Sequence, residues 1–100
     1  MRLSPSQQQS IRAAFKKQFT SHDQLWVFGS RVNDDKHGGD IDLYIETHQE
    51  ASQAVMHKML FINDLWQMIG DQKIDVVLNV LSQAPRPIHH IAKSTGFKLV

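Results

Sequence analysis

Between Asp40 and Glu46 the chain alternates without a break: Ile41, Leu43 and Ile45 fall on one parity, Asp40, Asp42, Tyr44 and Glu46 on the other. Successive side chains of a strand point to opposite faces, so this segment can only be a half-buried strand with carboxylates along one side. A strand needs partners. Leu25-Trp26-Val27-Phe28, closed by Gly29, is short and rich in β-formers and reads as a buried strand, and Lys73 to Val80, apolar and β-branched, reads as a third strand. Helical patterns surround them. Ser4-Pro5-Ser6-Gln7 combines an N-cap, proline at the first helical position and glutamine three residues after the cap, and Ile11, Ala14, Phe15 and Phe19 follow at helical spacing, giving a helix over about 5–19. A second helix runs from about Glu50 to Ile69, with a stripe at Val55, Met59, Ile62, Trp66 and Ile69 and a stop at Gly70. After the break at Pro85-Arg86-Pro87, Ile88, Ile91 and Ala92 predict a short helix ended by Gly96, and Phe97 to Val100 a final edge strand. The order α-β-β-α-β-α predicts an α/β (α+β) domain, a small mixed sheet packed against helices.

With 100 residues, the expectation is a single domain over 1–100 with one core. The absence of cysteine excludes a disulfide framework and a cysteine-based zinc site. The apolar runs are too short to span a bilayer, and the polar start Met1-Arg2-Leu3-Ser4-Pro5 lacks a signal-peptide apolar region, so a cytoplasmic location is expected. Eleven basic and ten acidic residues give a formal charge of +1 with no basic stripe, which argues against a dedicated nucleic-acid binder.

The chemistry concentrates between residues 29 and 42, with one later residue. Residues two apart on a strand share a face about 6.5–7 Å apart, so Asp40 and Asp42 can converge on one cation. Two carboxylates in close quarters raise each other's pKa, and a divalent cation removes that cost. Oxygen ligands alone select a hard ion, Mg²⁺ or Mn²⁺, of the kind that acts together with substrate phosphates. Gly29 ends a strand without a Cβ, and Ser30 offers a hydroxyl and opens a turn whose N–H groups suit an anion. Asp75 interrupts the apolar run Ile74 to Leu78, where a charge has no packing reason to be, and supplies a third carboxylate for a two-metal transfer. Asp71 shares its parity but follows the Gly70 stop and reads as solvated.

Gly29-Ser30, about ten residues, then Asp40-Ile41-Asp42-Leu43, with Asp75 on a later strand, resembles the nucleotidyltransferase signature of the DNA polymerase beta superfamily. Within it the chain resembles the minimal nucleotidyltransferases, or MNT proteins. The likeness covers residues 25–80, and the segment Pro87-Ile88-His89-His90-Ile91-Ala92-Lys93 is similar to their ending. The resemblance implies a nucleotidyltransferase fold. Gly29 and Ser30 would hold the triphosphate, with Arg31 or Lys36 supplying charge. Asp40 and Asp42 would ligate Mg²⁺, two ions in all, and Asp75 would complete the metal site and help activate the acceptor hydroxyl. Many relatives follow Gly-Ser-Arg with a small residue, a second arginine and glycine; here Val32, Asn33 and Asp34 stand there, while Gly38-Gly39 lets the loop fold back.

The activity implied is transfer of AMP from ATP to a hydroxyl, with Mg²⁺ as cofactor. MNT proteins commonly pair with a small helical HEPN protein, an RNase toxin, and act as its antitoxin by adding AMP to a tyrosine. The resemblance therefore implies a type VII-like antitoxin in a hetero-oligomer with a HEPN toxin. The alternative is a non-catalytic antitoxin that neutralises the toxin by binding alone. A chain of this length has no room for an acceptor-binding domain, which favours an acceptor presented by a separate molecule. The six histidines lack ligand spacing and read as surface or tail residues, adjacent His89 and His90 pointing in different directions. Tyr44 reads as packing, with base stacking as the sharper alternative. Met56, Leu60, Phe61, Leu65 and Met68 widen the apolar surface of the long helix beyond one core contact, so another chain is expected to cover part of it.

Overall fold

The computed structural model describes residues 3–32 and 40–100. Helix α1 spans Pro5–Gln18 and starts as its sequence dictates: Ser4 Oγ accepts from the Gln7 amide and Gln7 Oε1 from the Ser4 amide, both at 3.0 Å. Strand β1 (Gln24–Phe28) leads into a tight helical turn at Gly29–Arg31. Strand β2 (Ile41–Thr47), helix α2 (Ala51–Ile69) and strand β3 (Ile74–Val80) follow, then helix α3 (Pro87–Thr95) and strand β4 (Phe97–Lys98). The last strand is shorter than Phe97–Val100, but the Leu99 and Val100 amides still bond the Leu25 carbonyl.

The strands form one mixed sheet in the order β3-β2-β1-β4. β1 runs antiparallel to β2 and β4, whereas β2 and β3 are parallel, and α2 makes the crossover that a parallel pair requires. Alternation then divides the sheet into two faces. Leu25, Val27, Ile41, Leu43, Ile45 and Ile74 pack against α1 and α2 through Ile11, Phe15, Phe19, Phe61 and Leu65. Trp26 and Tyr44 face the other way, beneath α3 and its buried Ala92. The expected parity of Asp40–Glu46 holds along its whole length.

The stripe expected on α2 does not pack as a unit. Ala54, Phe61 and Leu65 are buried and Ile62 and Ile69 sit at the core margin, while Val55, Met59 and Trp66 are exposed. The helix is apolar around most of its circumference, so periodicity admits two solutions. Packing selects the one in which the Phe61 ring meets Phe15 and Phe19 edge-on, each at 6.2 Å.

His89 is also corrected: it is buried, with its ring 5.8 Å from that of Tyr44, while His90 is exposed. Tyr44 itself is a packing residue. It lies between Trp26 and His89, donates to Glu46 Oε2 at 2.7 Å and accepts from Asn79 Nδ2 at 3.0 Å. Burial pushes its phenol up to about 12. Lys93 closes this cluster from outside, 3.2 Å from Glu46 and over the Trp26 ring. Among the described residues no helix is long and apolar enough to cross a membrane.

Asp23 ties the turn before β1 to the end of β2. Buried, it accepts from the Thr20 amide (3.0 Å), the Thr47 hydroxyl (3.1 Å) and the His48 amide (2.8 Å). Burial raises its proton affinity, but these bonds and one from the His48 ring outweigh it and lower the pKa. A lowered native pKa stabilises the fold above the ordinary carboxylate value, and that contribution fades as pH falls through the native value. Asp23→Ala should therefore cost about 1–3 kcal/mol at neutral pH, since it leaves buried donors unpaired. Urea titrations at neutral pH and below the native pKa should show the gap between wild type and variant shrinking in acid.

Candidate active site

Register brings the acids together. Asp42 stands opposite Phe28, the last residue of β1, and opposite Asp75 on the parallel strand β3. Adjacent strands lie about 4.8 Å apart, so Asp42 and Asp75 are direct neighbours on the face that also carries α3. Asp40 lies immediately before β2 on the same parity. α3 packs over Trp26 and Tyr44, further along the sheet, and the acid end stays open: Asp75 is exposed and the Asp40 side chain is 48% exposed. Burial raises the pKa of Asp42, and the carboxylates of Asp75 and Asp40 raise it further, with Lys73 acting in the opposite sense.

Gly29 turns the chain beside this cluster with φ of +73°, a conformation that L side chains rarely adopt. Its missing Cβ has a second function. A Cβ there would collide with the carboxylate of Asp42, so the glycine makes room for the acid as well as for the turn. Ser30 is the middle residue of that turn, and the Val32 amide closes it on the Gly29 carbonyl at 3.2 Å.

Arg31 binds the framework of the site. Its Nε donates to the Asp40 carbonyl and its terminal nitrogen to Gln72 Oε1, each at 3.4 Å, linking the turn after β1 to the starts of β2 and β3. Lys73 Nζ lies 3.5 Å from Asp40 Oδ2. Sequence reading passed over Lys73 and Gln72. Lys73 had a signal, since it shares the parity of Asp75 two residues before it, whereas nothing local marks Gln72. The loop residues Asn33, Asp34, Lys36 and Gly38-Gly39 lie outside the described residues.

Among the described residues no three histidine, aspartate or glutamate side chains form a ready metal cage. The donor set nevertheless fits a hard divalent cation: it is oxygen-only, and the proton affinity of Asp42 is raised by burial and then by the two acids beside it. Asp42 with Asp40 and Asp75 would hold such an ion, and phosphate oxygens would complete its coordination.

Replacing Gly29 tests this geometry. Gly29→Ala should cost about 1–2 kcal/mol from the left-handed backbone alone and displace Asp42, weakening Mg²⁺·ATP binding at least tenfold (~1.4 kcal/mol) by calorimetry. Gly70→Ala is the control: φ there is +88° but nothing lies within 4 Å, so it should lower the melting temperature and leave binding unchanged.

A search of curated proteins finds no match to the chain. The family described as Polymerase beta, Nucleotidyltransferase matches residues 9–100, a span that takes in the Gly29 turn, Asp40, Asp42 and Asp75. Its domains use a nucleoside triphosphate and a divalent metal, in keeping with an open acid cluster beside a glycine turn. The chain belongs to the polymerase beta nucleotidyltransferase family.

Proposed function

We propose that this protein transfers AMP from ATP to a hydroxyl, a tyrosine of a partner HEPN toxin, and so acts as an MNT-type antitoxin. The observation that carries the transfer is Asp42 in register with Asp75, beside a glycine whose Cβ would displace it. The resemblance to MNT proteins supports the partner, and the open acid end supports an acceptor that arrives from outside the described residues.

Mg²⁺, when bound, neutralises the charge that develops on the triphosphate and orients it for in-line displacement. Asp40 and Asp42, with Asp75 completing the site, would hold the cation, and the Gly29-Ser30 turn would receive the phosphates. The acceptor oxygen forms a bond to the α-phosphorus as the bond from that phosphorus to the β-bridging oxygen breaks, releasing pyrophosphate. Asp75, exposed beside the incoming hydroxyl, takes its proton. Arg31, on the Asp40 carbonyl and Gln72, keeps the two acid-bearing strand starts in place during the exchange.

Two measurements test this reading. Mg²⁺ and ATP together at a hundredfold over the dissociation constant should stabilise the fold by about 2.7 kcal/mol. Incubation with ATP, Mg²⁺ and the HEPN protein should add AMP to the partner by mass spectrometry. Asp42→Asn and Asp75→Asn should each lower that rate by a hundredfold or more, equivalent to about 2.7 kcal/mol of barrier, with melting temperature retained. An unmodified partner that is still inhibited by both variants would show neutralisation by binding alone.

A further inference from the structure

Helix α3 uses a histidine ring to receive the amide that precedes it. The Arg86 N–H donates to His89 Nδ1 at 3.1 Å, and the His89 N–H donates back to the Arg86 carbonyl at 2.9 Å, so the two residues close the first turn from both sides. Glutamate or glutamine ordinarily fills this position, and its side chain accepts across the whole neutral range. An imidazole accepts only through a nitrogen that carries no proton. Nδ1 is therefore bare, and the single proton of the neutral ring sits on Nε2. Nε2 lies 3.4 Å from a terminal nitrogen of the Arg86 guanidinium, a group that is cationic and only donates. The doubly protonated ring would thus set one N–H against the Arg86 amide and a positive charge against its side chain.

The surroundings do little to offset that conflict. His89 is 6% exposed, its ring 5.8 Å from that of Tyr44. From β2, Tyr44 keeps its phenol proton, and Glu46 is already shared between the Tyr44 hydroxyl at 2.7 Å and Lys93 at 3.2 Å. From β3, Asn79 is neutral and bonded to Tyr44, while Asp75 stands at the acid end. β1 has no charged residue, and Lys93 of α3 and Lys98 of β4 both lie over the Trp26 ring. Burial and then Arg86 lower the pKa of His89, and a bond to the Leu78 backbone and the Glu46 charge act in the opposite sense without reversing it.

We propose that His89 is an acid-sensitive latch: proton uptake at Nδ1 removes the acceptor that caps α3 and places a cation against Arg86, so the helix loosens from the sheet as pH falls. The position of α3 gives this latch its reach. Through Ala92 the helix seals Trp26 and Tyr44, which stand two residues along the same face from Phe28 and Asp42. Loosening it uncovers the closed half of the acid-bearing face, while the core between the sheet, α1 and α2 lies on the other side. In the released helix His89 regains the ordinary histidine value, so between that value and the lower folded one the released form holds the proton and the docked form does not. Docking is therefore complete above the ordinary histidine range and weakens as pH falls through it, by about tenfold for each pH unit that separates the two midpoints.

Two measurements on the full chain test the latch. Imidazole nitrogen NMR should find His89 as the Nε2–H tautomer at neutral pH, with a midpoint below that of exposed His90. Hydrogen exchange should show the Ala92 and Lys93 amides losing protection on acidification by the factor that this midpoint sets, relative to the Phe15 amide of α1. His89→Gln keeps an acceptor at the cap and does not titrate, so its α3 protection should be equal above and below the histidine range. The wild-type spectra decide the matter even where that variant does not fold. A His89 protonated on Nδ1 at neutral pH, a midpoint at or above that of His90, wild-type α3 protection that ignores pH, or an equal loss in His89→Gln would overturn the proposal.

Discussion

The parallel pairing of β2 with β3 sets Asp42 against Asp75, and the rest of the site follows from that repulsion. Burial raises the proton affinity of Asp42, and the charges of Asp75 and Asp40 beside it raise it further. Such an arrangement is costly in an ordinary sheet. It persists here because the strand starts are pinned from outside the cluster, by Arg31 on the Asp40 carbonyl and Gln72 and by Lys73 on the Asp40 carboxylate. A hard cation held by Asp40, Asp42 and Asp75 would relieve that repulsion. Gly29 belongs to the same constraint, since any larger residue would occupy the space of the Asp42 carboxylate.

The two faces of the sheet divide the work. One face is sealed by α1 and α2 around Phe15, Phe61 and the aliphatic side chains of β1 and β2, which supplies the core. The other is only partly covered, because α3 packs over Trp26 and Tyr44 and not over the acid end. Tyr44, Glu46, Asn79 and Lys93 satisfy one another there, so the covered half of that face is a finished polar cluster. The acids Asp40, Asp42 and Asp75 lie in the open half. α2 packs on the far side of the sheet from the acids.

Much of this was legible in the sequence wherever the signal is local. The strict alternation of Asp40–Glu46 located β2 and its polar face, the capping residues Ser4, Pro5 and Gln7 located the start of α1, and the charge of Asp75 inside an apolar run stood out as unexplained by packing. Long-range choices were not legible. Nothing in α2 distinguishes the strip at Val55, Met59 and Trp66 from the one at Phe61 and Leu65, and only docking against Phe15 and Phe19 decides between them. His89 reads as a tail residue until α3 folds onto Tyr44. Asp23 looks like an ordinary turn aspartate, and its burial becomes apparent only when Thr47 and His48 arrive from β2.

The central claim is that Asp42 is held in a repulsive carboxylate cluster that a divalent cation relieves. Carboxyl carbon NMR of Asp42 across a pH titration, with and without Mg²⁺, measures this directly. Without the ion Asp42 should titrate above the ordinary aspartate value, and saturating Mg²⁺ should move its midpoint downward. An Asp42 that titrates at the ordinary value and does not respond to Mg²⁺ would contradict the account.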